Sequence, residues 1–274
     1  MAQTKIEWTD QVWNMVWGCK GCYLGERCYA KKIAKRFAHK IAEKEVKYMG
    51  ANDNDEHWIE HYTNEISQFN QTYLASQSYP KFPAKPRKIF ANSMSDIAFW
   101  LPNWIKDLIN VANKYPQHTF QVLTKFAVRL KNLMKGNNLT FPQNVWLGLT
   151  VTEQSCFEDY WYLSDLTTGK IFVSVEPILE RIDLKREYFP LNIVRHVPSN
   201  SRTQLGNMID WIIIGVETGS KVDKLNVVNN HINSLIQQAK YFDIPVFVKS
   251  IYYKNKVQKD NFPKNFSYRE FPKE

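Results

Sequence analysis

Three cysteines, Cys19, Cys22 and Cys28, fall within ten residues of a 274-residue chain, and a fourth, Cys156, stands far from them. The segment reads Trp17-Gly18-Cys19-Lys20-Gly21-Cys22-Tyr23-Leu24-Gly25-Glu26-Arg27-Cys28-Tyr29-Ala30. Clustered thiols in a chain without a secretory leader favour a metal or redox site over a disulfide framework. Ligands this close must wrap one compact centre, and Gly18, Gly21 and Gly25 permit the turns. A helix starting after Cys28 turns its positive end toward thiolates and an anionic cluster. The count of three is informative. Structural zinc and ordinary iron–sulfur clusters take four protein ligands. Three cysteines leave one iron open to a small molecule. The alternative is a zinc site completed by Cys156 or by a histidine, the nearest being His39.

A second set of polar residues sits where apolar runs stop. Lys88 to Ala91 ends in Asn92-Ser93-Met94-Ser95-Asp96, and Thr119 to Leu123 in Thr124-Lys125. Val145 to Leu149 ends in Thr150-Val151-Thr152-Glu153, and Ile171 to Val175 in Glu176-Pro177. Trp211 to Ile214 ends in Gly215-Val216-Glu217, and Val246 to Val248 in Lys249-Ser250. Barrel enzymes gather functional groups at such strand ends. The competing role for each Ser, Thr or Asp is to cap the helix that follows.

The elements that must position these groups follow from periodicity. Together with Val12 to Trp17, which leads into the cysteine loop, the runs read as strands buried on both faces. Between them lie helical patterns, Ile105 to Lys114 and Val228 to Tyr241, with Ile105, Leu108, Ile109 and Ala112, and Ile232, Leu235, Ile236 and Ala239, on one face each. Alternation of strand and helix predicts an α/β fold, a partial or complete (βα) barrel of six to seven parallel strands. We expect one domain over 1–274, with a helical insertion near 31–76, a loop insertion near 185–207 over the barrel mouth, and a polar tail near 254–274. The insertion starts as a basic helix, with Lys31, Lys35 and Ala38 on one side and Ile33, Ala34 and Phe37 on another. The aromatic residues Trp8, Trp13, Trp17, Tyr23 and Tyr29 either shield a cluster or present stacking surfaces to a base.

Composition narrows the partners. Hydrophobic residues make 44% of the chain and charged residues 23%, as in globular proteins. No apolar run approaches the length of a bilayer span, so a cytoplasmic protein without membrane partners is expected. The net charge of +9 and the 14% aromatic content suit a polyanion such as nucleic acid or a nucleotide. Oligomeric state is not readable.

The three-cysteine loop after the first strand of a βα pattern resembles the radical S-adenosylmethionine superfamily. The chain is also similar to a phage and bacterial family labelled only as phage protein. The matching stretches are Ile6-Glu7-Trp8-Thr9 with Trp13-Asn14, Gly18-Cys19, Cys28-Tyr29-Ala30, Lys88-Ile89-Phe90 with Asn92 to Asp96, and His118 to Lys125. They continue with Asn144 to Gly148, Ser174 with Glu176-Pro177, Ile209 to Trp211, Gly215 with Glu217, and Val246 to Lys249. The superfamily spacing is C-x3-C-x2-C, whereas this loop is C-x2-C-x5-C, and Asn92 to Asp96 stands where a Gly-Gly-Glu motif is usual. The resemblance implies a 4Fe-4S cluster on Cys19, Cys22 and Cys28, an external electron donor, and S-adenosyl-L-methionine cleaved to a 5′-deoxyadenosyl radical. By position it offers Ser93, Ser95 and Asp96 for the methionine ammonium, and Thr150, Thr152 and Glu153 for the ribose. Glu176 and Glu217 are then candidates for holding cofactor or substrate. Lys125 and Lys249 are candidates for neutralising a substrate phosphate or carboxylate, or for pairing with those glutamates. Two other classes stay open: a zinc-dependent nucleic-acid-binding protein without catalysis, and an iron–sulfur redox sensor.

Overall fold

A computed structural model describes residues 4, 6–48, 56–70, 72–74, 81–184, 209–217, 225–253, 256–260 and 262–273. The chain forms two compact units, Met1–Leu123 and Thr124–Glu274. The loop insertion expected near 185–207 lies outside the described residues.

In the first unit β1, Gln11–Val12, is only two residues long. The single strand expected from Val12 to Trp17 is interrupted. The backbone N–H of Trp13 donates to Phe90 O, and the Asn14 side chain then turns to Ser93 and the Met94 N–H. The chain resumes as β2, Val16–Gly18, which pairs antiparallel with β3, Thr72–Leu74. The strand leading into the cysteine loop is therefore not one of the parallel strands.

After the loop, α1, Tyr29–Tyr48, runs for 20 residues. It packs against α2, Glu56–Gln68. Among the described residues the insertion is thus two helices and a strand. In α1 the buried ridge is Ala30, Ala34, Ala38, Ala42 and Val46, at a stride of four. Small side chains there let the neighbouring helix approach. This corrects two assignments: Ala38 is buried instead of sharing the basic side, and Phe37 is 44% exposed.

Beyond α2, β4, Lys88–Phe90, pairs parallel with β1, Gln11 against Ile89. The helix α3, Pro102–Lys114, has proline at its start, where a missing N–H costs nothing. It buries Ile105, Leu108, Val111 and Ala112 and leads to β5, Thr119–Thr124, parallel to β4. Each fully buried Ile or Leu contributes about 1.5–3 kcal/mol.

In the second unit α4, Ala127–Gly136, is followed by β6, Val145–Val151, every residue of which is buried. A short helix, α5, Gln154–Phe157, precedes β7, Ile171–Val175. Next comes β8, Trp211–Ile214, and α6, Leu225–Tyr241, which buries Ile232, Leu235, Ile236 and Ala239 as expected. β9, Val246–Val248, follows, and β6 to β9 are parallel neighbours in that order. The expected α/β class is therefore present with seven parallel strands, three in the first unit and four in the second.

The tail is more ordered than a polar tail implies. β10, Ile251–Tyr253, and β11, Lys256–Gln258, form a hairpin. Val248 N–H donates to Tyr268 O and Glu270 N–H to Val246 O, and Phe271 packs its ring on Trp211 and Phe247. Among the described residues no helix is long and apolar enough to cross a membrane.

Candidate metal and cofactor site

The cysteine loop is built on positive-φ glycines. Gly18 lies at φ 84° and Gly21 at φ 83°, and a Cβ on Gly21 would meet nothing within 4 Å, so conformation alone calls for glycine there. A 3-10 turn, Gly25–Arg27, closes the loop through Gly25 N–H to Cys22 O and Cys28 N–H to Gly25 O. Lys32 N–H then donates to Cys28 O, which begins α1. Cys19, Cys22 and Cys28 are half-buried and form no disulfide. Cys19 and Cys28 pack against the same apolar cluster, which includes Ala30, Ala34 and Met94.

Both ends of this loop are tied to one turn. Gly18 N–H donates to Met94 O at 3.0 Å, Gly18 bridges Ser95, and the Tyr29 hydroxyl donates to Ser93 O. That turn follows the C-terminal end of β4. The thiol loop and the polar segment Ser93 to Asp96 are therefore neighbours.

Within the turn, the side chains have local partners. Ser93 Oγ exchanges hydrogen bonds with Asn14, at 2.9 and 3.0 Å. Ser95 Oγ accepts from Trp100 Nε1 at 2.9 Å. Asp96 is buried, and its Oδ1 accepts from Ala98 N–H at 3.1 Å, capping the short helix Ile97–Phe99. The capping role weighed for this aspartate is the one it performs.

Two residues that hold the turn, Asn14 and Asn92, were not singled out as site residues. Asn92 is 2% exposed, accepts from Leu123 N–H at 2.9 Å, and donates to Leu123 O and Ser95 O. Its amide imitates a strand edge. A buried asparagine at a strand end was the available signal.

Glu26, fully exposed on the loop, contacts Lys31 at 2.6 Å and Lys35 at 3.0 Å. Hydrogen bonds from Lys31 and then Lys35 hold its carboxyl down at about 2. Lys31 and Lys35, placed together on one side of the basic helix, are thereby engaged within the chain. Of the aromatic set, Trp8 and Trp13 are core residues, whereas Tyr23 and Tyr29 are exposed.

In the second unit the ends of β7, β8 and β9 converge on an ion pair. Lys249 Nζ lies 2.9 Å from Glu176 Oε1, and Ser174 Oγ donates to Glu176 Oε2 at 3.2 Å. Gly215 makes room for this pair, since a Cβ there would lie 2.4 Å from Glu176 Oε1. Ser250, buried, accepts from Val216 N–H, and Tyr252 donates to Glu217 O at 2.7 Å. Gly215, Ser250 and Tyr252 were missed, because their roles depend on neighbours far away in sequence.

The remaining candidates are more scattered. Thr150 and Thr152 are buried at the end of β6, and Glu153 is exposed, accepting from Ser155 Oγ at 3.2 Å. Lys125 lines a cavity of about 530 Å³ beside α4. Cys156 approaches Glu153 at 4.0 Å, within the second unit.

The loop supplies three sulfur donors, the number a three-cysteine iron–sulfur site uses. Among the described residues, no three His, Cys, Asp or Glu side chains are gathered as they would be around a metal ion. A family model described as a protein of unknown function (DUF5131) matches residues 3–270. No curated protein and no solved structure matches the chain.

Proposed function

The chain belongs to the DUF5131 family of unknown function, and from that premise we propose that it is an iron–sulfur enzyme of the radical S-adenosylmethionine type, with Cys19, Cys22 and Cys28 holding a 4Fe-4S cluster. The observation that carries this reading is the tying of both ends of the thiol loop to the turn after β4. It sets three unbridged thiols beside a strand-end turn within one compact unit. The α/β class with seven parallel strands is compatible with a partial barrel of that type. Metal binding is coupled to local folding, so loading is expected to draw the three sulfurs together and order residues 19–28.

When bound and reduced by an external donor, the cluster supplies the electron that cleaves S-adenosylmethionine. The chain's own residues do the rest. Asn14, Ser93, Ser95 and Asp96 fix the backbone of the turn, which offers carbonyls to the methionine ammonium. Trp100 and Ile97, buried beneath it, keep water out. Within the second unit, the half-buried pair Glu176–Lys249, with Thr150, Thr152, Glu153, Glu217 and Lys125, supplies further polar and charged groups that a ligand could use.

The test is anaerobic reconstitution with iron and sulfide, followed by reductant and S-adenosylmethionine. Formation of 5′-deoxyadenosine, lost in Cys19→Ala and Cys28→Ala, is the expected result. A colourless protein with stoichiometric zinc, or a brown protein that leaves S-adenosylmethionine intact, overturns the reading.

A further inference from the structure

Opposite its buried ridge, α1 carries a row of cations, with the exposed His39–Glu43 pair beside it. The buried positions are 30, 34, 38, 42 and 46. The ridge two residues out of phase, on the opposite side of the helix, is Lys32, Arg36, Lys40 and Lys44, and all four are exposed. Among the described residues none of these four meets a carboxylate, in contrast to Lys31 and Lys35 on the adjoining ridge, which clasp Glu26. Successive members rise by about 6 Å, so the row extends roughly 18 Å along the helix. Four like charges at a stride of four repel one another and weaken an isolated helix. Nothing in the packing of α1 against α2 calls for them, since the packing uses the other side.

Aromatic surface accompanies the row. Tyr29 is 52% exposed and Phe37 44% exposed on the neighbouring ridge, Tyr23 on the loop is 46% exposed, and the Arg36 guanidinium lies 5.3 Å from the Phe37 ring centroid. Cations that track phosphates, interleaved with ring faces that stack on bases, are the elements of single-strand recognition. Duplex DNA would leave the rings idle, because its bases are already stacked. The row begins four residues after Cys28.

We propose that the Lys32–Arg36–Lys40–Lys44 ridge of α1 is a docking rail for single-stranded nucleic acid that leads toward the cysteine loop. It rests on the proposed function only in identifying the docked strand as the substrate. The docking itself needs no cluster.

The experiment is fluorescence anisotropy of the whole protein with dye-labelled oligo-dT and oligo-U between 50 and 200 mM salt. One variant carries Lys32→Gln, Arg36→Gln, Lys40→Gln and Lys44→Gln. A control of equal charge change carries Lys81→Gln, Lys85→Gln, Lys106→Gln and Lys114→Gln, all exposed in the same unit. The ridge variant should bind at least roughly tenfold more weakly, with the log–log salt slope reduced by about 3, and the control should keep most of both. If the quadruple ridge variant does not fold, the two double variants, Lys32→Gln with Arg36→Gln and Lys40→Gln with Lys44→Gln, are each expected to take about half of that slope. Equal losses in ridge and control, unchanged binding in the ridge variants, or binding to phosphatidylserine vesicles without oligonucleotide binding would each overturn the proposal. Cleavage of S-adenosylmethionine is measured separately, so loss of the rail and loss of the cluster reading are distinguishable.

Discussion

Glu176 reaches Lys249 because position 215 has no side chain. The methyl of Gly215→Ala would fall 2.4 Å from Glu176 Oε1, and the carboxylate end, being flexible, would swing away and break the 2.9 Å pair. Replacing Lys249 by Met leaves a half-buried carboxylate without its cation, at an expected cost of roughly 1–2 kcal/mol in urea unfolding, well below that of a fully buried pair. Gly215→Ala combined with Lys249→Met should then cost little more than Lys249→Met alone. Strict additivity of the two would contradict the coupling. Sequence placed Glu176 and Lys249 at strand ends and left pairing with a glutamate as one of two roles for Lys249. Gly215 was not legible, because the need for it arises from a side chain on the neighbouring strand. Asp96 was legible as polar and strand-terminal, but sequence alone could not decide between ligand contact and capping.

At the scale of elements, the start of α1 is clasped to the cysteine loop by Glu26. The carboxyl is held at about 2 against an ordinary 4.5, so its stabilising contribution is fully present above about 4.5 and is lost as pH falls through about 2. Carbon-detected titration of Glu26 should show the low midpoint, and Lys31→Gln with Lys35→Gln should return it toward the ordinary value. A Glu26 midpoint near 4.5 in the unaltered chain would contradict the clasp. The helix itself was legible from its period. Which ridge of α1 is buried was not, because Ala30, Ala34, Ala38 and Ala42, though at a stride of four, carry little apolar surface beside Ile33 and Phe37, and the partner α2 lies beyond residues 49–55. The break between β1 and β2 was equally hidden. Val12 to Trp17 reads as continuous strand until Asn14 finds Ser93.

At the scale of the whole molecule, continuous apolar runs marked six of the described parallel strands, whereas the run from Val12 to Trp17 contributes only the end of β1. β6 to β9 are buried along their whole length, which is what such runs encode. The packing of the tail was not legible, because Phe271 gains meaning only against Trp211 and Phe247, far from it in sequence. The account as a whole depends on the loop from Cys19 to Cys28 taking up iron and sulfide. The most direct measurement is the iron and acid-labile sulfide content per chain after anaerobic reconstitution, read with the Mössbauer spectrum, for the native chain and for Cys19→Ala, Cys22→Ala, Cys28→Ala and Cys156→Ala. The expected result is about four irons and four sulfides per chain, retained in Cys156→Ala and lost in each of the other three. Iron that survives the loss of any of Cys19, Cys22 or Cys28, or that disappears with Cys156, would contradict the account.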